Sequence, residues 1–341
     1  MRIEAKWIDM FVEVFALCGV KSGDACAVLS ETQSRPVLPQ LAELALARLG
    51  ARSFHLVLPG KPLAAPVPVR STGASDAIGQ LEPVVQALAA CVFVADCTVE
   101  GLQHAVELPR ILQGGARVLN ISNEHPEILE RCLPKPGDEA VVRDAMRRLK
   151  GAREMQVSSA AGTDLRINLA GGRVRGVWGF TAKPGSLSHW PGGLVLAFPA
   201  AGTVNGTLVL DRGDVNLTFK RYLQDPVRLV IENDHAVQVL GEHVDGELMR
   251  GYFESWNDPQ AYAVSHIGWG LNRGARWDAM MFYDKADFNG TELRAFAGNF
   301  LYSTGANEVA GRHTLGHFDL PLRGCTVCLD GQVIVDQGRL L

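Results

Sequence analysis

The chain has 341 residues, 47% hydrophobic and 21% charged, which excludes a fibrous or disordered protein and leaves one large domain or two ordinary ones. Lys and Arg number 33 against 37 Asp and Glu, a net charge of −4, so no basic excess exists to neutralise phosphates and nucleic acid is not an expected partner. No apolar run approaches the ~18 residues of a membrane span, and Asp9 and Glu13 interrupt any secretion-signal core. Seven cysteines, an odd number in a long chain, argue against a disulfide framework, so the cytoplasm is the expected compartment.

The first helix is marked by Trp7, Met10, Phe11, Val14 and Cys18 at i, i+3, i+4 spacing. Strand-like and helix-like segments then alternate. Residues 25–29 read as a strand, 39–49 as a helix ending at Gly50, and 53–58 as a strand closed by Pro59-Gly60. Residues 78–90 read as a helix, 91–95 and 117–121 as strands, with a helix after Asn123 and another over 138–150. This rhythm, with strands apolar throughout, predicts an α/β domain over residues 1–150 with a mostly parallel sheet covered on both faces. After Gly151 glycine pairs recur at Gly171-Gly172 and Gly192-Gly193, and short β-rich stretches replace the helices. Residues 157–159 and 165–169 fit a hairpin about Gly162-Thr163; 208–210, 217–219 and 227–232 read as further strands. Residues 151–341 are therefore expected to form a β-rich α+β domain.

Several signatures are missing. There is no G-x-G-x-x-G, Walker A, H-E-x-x-H or G-x-S-x-G sequence, so neither a nucleotide fold nor a common hydrolase centre is indicated. Cys325-x-x-Cys328 is a lone pair in an apolar run and reads as core, because zinc needs four ligands. His317-Phe318-Asp319 carries more information. On a strand, positions i and i+2 share a face, so His317 and Asp319 can address one metal ion while Phe318 turns away. A second histidine would complete a 2-His-1-carboxylate triad, the set that suits non-haem Fe(II), and His266 is the candidate. The same spacing also fits an ordered structural His–Asp pair. A second H-x-D, His243-Val244-Asp245, lies in a charged, Gly-bounded stretch and reads as a solvated loop.

Residues 263–272, 302–307 and 313–330 resemble the closing segments of the aminopeptidase T/S metallopeptidase family, and 183–199, with His189-Trp190-Pro191-Gly192-Gly193, resembles an earlier block. That family implies an N-terminal α/β domain, a β-rich metal domain and two metal ions held by Glu, Glu, His, His and Asp. Here Leu194 follows Pro-Gly-Gly where the pattern has a Glu, and His266 takes the place of the other Glu. The altered pattern is similar to a branch of the same fold, the 2,5-dihydroxypyridine 5,6-dioxygenases of nicotinate and nicotine catabolism. The resemblance implies a single Fe(II) on His266, His317 and Asp319, with Ser303 as a weaker fourth ligand. It implies that His104 and His189 contact the substrate and that either can act as general base. Trp178, Phe180 and Trp190 are expected as an aromatic wall against a flat ring. The implied reaction opens a dihydroxypyridine between C5 and C6 with O2, in a homo-oligomer without an organic cofactor. Two other readings stand beside it. One is a metal-dependent, aminopeptidase-like hydrolase, with Glu242, Glu247 or Glu254 replacing the missing carboxylates. The other is a non-catalytic α/β binding protein that has lost its metal.

Overall fold

Alternation of helix and strand organises the first half of the chain, as its hydrophobic pattern predicts. The structure is a computed structural model, and it describes residues 2–62 and 75–341. The elements run α1 (Ala5–Leu17), β1 (Ala25–Glu31), α2 (Val37–Arg48), β2 (Arg52–Leu58), α3 (Glu82–Ala89), β3 (Phe93–Cys97), α4 (Leu108–Gln113), β4 (Arg117–Ile121), α5 (Pro126–Arg131) and α6 (Asp138–Gly151). β1 to β4 pair in parallel in the order β2-β1-β3-β4. Val28, Phe93, Ala95 and Leu119 pack on one face against α1 and α2, while Ala27, Leu29, Val94 and Val118 pack on the other with Val85, Leu88 and Ile111. Burial on both faces is why β1, β3 and β4 are mostly apolar, whereas the edge strand β2 is buried only at Leu58.

The second half is β-rich. It contains β5 (Glu154–Ser159), β6 (Asp164–Asn168), β7 (Arg173–Val177), β8 (Leu187–Trp190), β9 (Leu194–Phe198), β10 (Val204–Leu210), β11 (Val215–Asn216), β12 (Arg221–Tyr222), β13 (Val227–Glu232) and β14 (His235–Leu240). Then follow α7 (Val244–Ser255), β15 (Val264–Gly270), α8 (Thr291–Ala295), β16 (Phe300–Thr304), β17 (Phe318–Leu322), β18 (Cys325–Leu329), β19 (Gln332–Asp336) and β20 (Arg339–Leu340). An eight-stranded sheet, β14-β13-β10-β6-β5-β18-β19-β20, faces a five-stranded antiparallel one, β17-β16-β15-β9-β7. A large apolar core fills the space between them: Val157, Leu165, Leu208, Leu229 and Val327 from the first, Ala197, Ile267, Trp269, Tyr302 and Phe318 from the second.

Three features depart from the sequence expectation. β8, from beyond residue 150, pairs in parallel with β4 and completes the first sheet, and α6 packs on β7 and β9. The chain therefore crosses the division at residue 150 in both directions. Residues 217–219 are a turn rather than a strand, because the pairing segment is the two-residue β11 just before them. His243-Val244-Asp245 is not a solvated loop. His243 caps α7 and is exposed, but Asp245 is buried, accepts the backbone N–H groups of Gln224 and Asp225, and pairs with Arg221 at 3.0 Å.

All seven cysteines are free, and Cys325 and Cys328 lie three apart on β18, where a strand turns them to opposite faces. Among the described residues no helix is long and apolar enough to cross a membrane. The inter-sheet core leads to a direct expectation. Phe318 is fully buried, 4.3 Å from the Tyr252 ring and 5.5 Å from Phe253 by ring centroids. Phe318→Ala should cost about 3–5 kcal/mol, read as a lowered urea midpoint at unchanged slope.

Candidate metal centre and ring pocket

Strand alternation builds the site. In the five-stranded sheet, Ile267 and Trp269, Phe300 and Tyr302, Phe318 and Leu320 point into the inter-sheet core. Their neighbours in sequence must face the other way. Across the ladder His266 sits opposite Ser303, and Ser303 opposite Asp319, so one row on the outer face carries imidazole, hydroxyl and carboxylate. Directly opposite positions bring Cβ atoms to about 5 Å. A bulge at Ser265 shifts the β15–β16 register and re-aims His266. His317, two residues before Asp319, joins the row from the residue that immediately precedes β17.

The polar atoms converge on Asp319. Its Oδ1 lies 3.2 Å from His317 Nε2 and 3.6 Å from His266 Nε2, and it accepts the Ser303 hydroxyl. Its Oδ2 accepts Arg294 Nε at 2.5 Å. The Ser265 hydroxyl donates to the Ala306 carbonyl and therefore accepts from His266 Nδ1 at 3.0 Å. That bond selects the tautomer whose Nε2 lone pair faces Asp319. Tyr252 brackets His317: its hydroxyl donates to the His317 carbonyl and accepts the His317 N–H at 3.2 Å. His104 arrives from the loop after β3, where parallel sheets present ligand-contacting groups. Buried Asp96 folds that loop by accepting Thr98 N at 3.0 Å and Leu102 N at 2.8 Å. Burial pushes the Asp96 carboxyl up to about 6, against those hydrogen bonds.

His104, His266 and His317 form a cluster whose ligand atoms all lie within 4.8 Å of one another. Burial holds His104 well below the usual imidazole range, helped by the two facing imidazoles, and takes His266 down to about 3 against the pull of Asp319. Burial works against the Asp319 anion, but His317 and Arg294 outweigh it and keep the carboxyl well below its ordinary value. His317 Nδ1 is buried without a hydrogen-bond partner among the described residues. The neutral imidazoles of His104 and His266, one anionic carboxylate and the unsatisfied ring nitrogen of His317 form a donor set that fits a divalent ion of nitrogen/oxygen preference.

The cavity beside the cluster is lined by Glu100, Gln103, His104, Asn120, His189, Leu194, Leu196, Asn289, Thr291, Arg294 and Leu301 together with His266, His317 and Asp319. Its non-atom space, solvent at the mouth included, is about 570 Å³. His189 reaches it from β8, opposite Asn120, and burial lowers its imidazole to about 4. The expected aromatic wall is absent. Trp190 follows His189 on the same strand and so faces the other side, fully buried against Phe11 with its indole N–H on the Leu129 and Cys132 carbonyls. Phe180 lies in that same core and Trp178 packs on its edge, under the guanidinium of Arg143. The side walls are aliphatic instead: Leu194, Leu196 and Leu301. The carboxylates proposed for a hydrolase do not approach, since Glu242, Glu247 and Glu254 are exposed and line no part of the cavity.

Sequence reasoning missed Arg294, Asn289 and Thr291. They sit on α8 and the turn before it, which Glu124 holds by accepting Asn289, Gly290 and Thr291 N–H groups at 2.7, 2.8 and 2.8 Å. No motif marks them, because a lone Arg or Asn gains meaning only from the strand it faces.

A two-unit metallopeptidase-like fold whose cavity carries a histidine cluster and one directly facing carboxylate defines the class of this protein. Residues 6–341 match the family described as NicX, 2,5-dihydroxypyridine 5,6-dioxygenase. The 2,5-dihydroxypyridine 5,6-dioxygenase of Pseudomonas putida is 37% identical over 341 residues, covering 99% of this chain and 96% of that one. A solved structure of the dihydroxypyridine dioxygenase from P. putida KT2440 superposes with a TM-score of 0.93 at 35% identity, covering 100% and 98% of the two chains. AmpT from Thermus thermophilus shares the fold, with a TM-score of 0.62 at 13% identity over 98% and 99% of the chains. The chain belongs to the 2,5-dihydroxypyridine 5,6-dioxygenase family and is an enzyme.

The neutral imidazoles set a pH dependence. The unfolded chain protonates histidine below about 6.5, whereas folded His266 and His189 resist until about 3 and 4. The unfolded state then binds more protons as pH falls, so stability declines with falling pH. The metal-free protein should lose roughly 2 kcal/mol per such imidazole between pH 6.5 and 5, measured by urea unfolding, and His189→Gln should flatten that slope.

Proposed function

We propose that the enzyme is an Fe(II)-dependent, ring-cleaving dioxygenase that opens 2,5-dihydroxypyridine between C5 and C6 to N-formylmaleamate. Both atoms of O2 enter the product, so no external reductant is required. The observation that carries the proposal is the His266–Ser303–Asp319 row with His317 beside it, in a chain of this family. His266, His317 and Asp319 would hold the iron, with Ser303 as a weaker fourth ligand. When bound, Fe(II) supplies the one-electron chemistry that allows a closed-shell ring to react with O2.

The remaining work falls to the chain's own side chains. Leu194, Leu196 and Leu301 give the ring an apolar seat and exclude water. His104 and His189 are neutral at pH 7, so each can accept a hydrogen bond or a proton from a ring hydroxyl. Asn120, Asn289 and Thr291 offer polar contacts at the ring edge. Arg294 holds Asp319 Oδ2 and leaves Oδ1 to the imidazole side. The proposal includes a cytoplasmic homo-oligomer, the compartment and assembly state that the family resemblance implies.

The test is O2 uptake by protein reconstituted anaerobically with one equivalent of Fe(II). Uptake equimolar with loss of 2,5-dihydroxypyridine is expected. His317→Ala and Asp319→Ala should abolish both iron binding and uptake while far-ultraviolet circular dichroism stays unchanged. Full iron content and full activity in either variant would overturn the ligand assignment. No uptake, with cleavage of a leucine anilide under Zn(II) or Co(II), would establish the hydrolase instead.

A further inference from the structure

A second cavity adjoins the ring pocket and shares Gln103 and His104 with it. Its other walls include Arg173, Arg175, Phe198 and His313. The sheet register explains the arrangement. Arg175 lies opposite Leu196, and Arg173 opposite Phe198, so both arginines share the face that carries His266 and Asp319. The Arg175 guanidinium stands 5.9 Å from the Phe198 ring centroid, and that ring is 5.3 Å from His266.

The two cations differ. Arg173 pairs with Glu308 at 3.6 Å, whereas half-buried Arg175 has no hydrogen bond or ion pair among the described residues. Burial pulls its pKa down, and Glu308, which lines the same cavity and pairs with Arg173, opposes. A partly desolvated cation with no directly paired anion is costly unless a ligand provides one.

The proposed reaction creates such an anion. The ring substrate carries no carboxylate. Breaking the C5–C6 bond turns the hydroxyl-bearing carbon into a carboxylate, places a formyl group on nitrogen and releases a proton. A guanidinium offers a carboxylate two parallel N–H donors, which an uncharged ring does not demand. We infer that Arg175 is the product-carboxylate subsite, receiving the carboxylate of the ring-opened acid in the adjoining cavity beyond His104. The inference rests on the ring-cleavage reading above.

Maleamate, the product without its formyl group, is the probe. Calorimetric titration of metal-free protein should show binding that weakens with added salt. R175Q should bind it about tenfold or more weakly, the scale of a lost charged hydrogen bond. Product inhibition of O2 uptake by maleamate should weaken by the same factor, while KM for 2,5-dihydroxypyridine moves less than about twofold. R175K keeps the charge without the fork and should fall between the two; it decides the matter if R175Q loses its cooperative unfolding transition. Equal maleamate affinity in wild type and R175Q, or no binding by wild type, overturns the inference. So does a KM for the ring substrate that rises in step, since Arg175 would then be a substrate contact. These results leave the dioxygenase reading intact when wild type consumes O2. Wild type that consumes none fails that reading itself.

Discussion

The site depends on one constraint, the two-residue period of three adjacent strands. Ile267, Tyr302 and Phe318 are drawn into a dry core between two sheets, and that burial forces His266, Ser303 and Asp319 onto the opposite face. A slip of one residue in any of these strands would exchange a fully buried aromatic or aliphatic group for a charged or polar one. The packing that stabilises the fold therefore sets the register of the site. Tyr252 links the two, with its ring against Phe318 in the core and its hydroxyl on the backbone of His317.

Electrostatics then divide roles among groups of similar burial. Desolvation alone would neutralise both Asp319 and the imidazoles around it. His317 and Arg294, the latter reaching Asp319 from α8, tip the balance for the carboxylate, while burial keeps His104 and His266 uncharged. A neutral imidazole has a lone pair to offer, and an ionised carboxylate has charge to offer. Both are needed to bind a divalent cation tightly from water. The supports of this arrangement come from the other half of the chain. Glu124 ties the turn before α8, and Asp96 shapes the loop that delivers His104. Pairing of β8 with β4 brings His189 to the same cavity. The ring pocket thus exists only where the two halves meet.

Much of this was legible beforehand, for identifiable reasons. The parallel sheet was legible because its strands are apolar runs bounded by turn residues, and β4 and β13 match the expected limits, residues 117–121 and 227–232. His317 and Asp319 were legible because i, i+2 spacing has a fixed meaning on a strand. The aromatic wall failed on that same rule. His189 and Trp190 are consecutive, so they cannot both face the cavity, and Trp190 belongs to the core under α1. Arg294 and Arg175 could not be foreseen. Each acts through a partner distant in sequence, and a single arginine carries no periodic signal. Asp245 shows the converse, since a charged stretch concealed a buried carboxylate whose partners lie on β12 and the loop after it.

The contrast with the peptidase pattern turns on how much negative charge the cavity holds. A two-metal hydrolytic centre needs carboxylates that bridge both ions. Here the position after Pro-Gly-Gly is Leu194, whose side chain lines the cavity, and His266 stands where the second Glu is expected. Removing two anions withdraws the charge that would hold a second cation, while adding an imidazole preserves the first position. The exchange also changes what the pocket can seat. Leu194, Leu196 and Leu301 present aliphatic surface to the faces of a ring, which carboxylates would hydrate. Leu194 and His266 thus leave the pocket less acidic and more aliphatic than the peptidase pattern would, so a common fold serves chemistry that its topology alone does not specify.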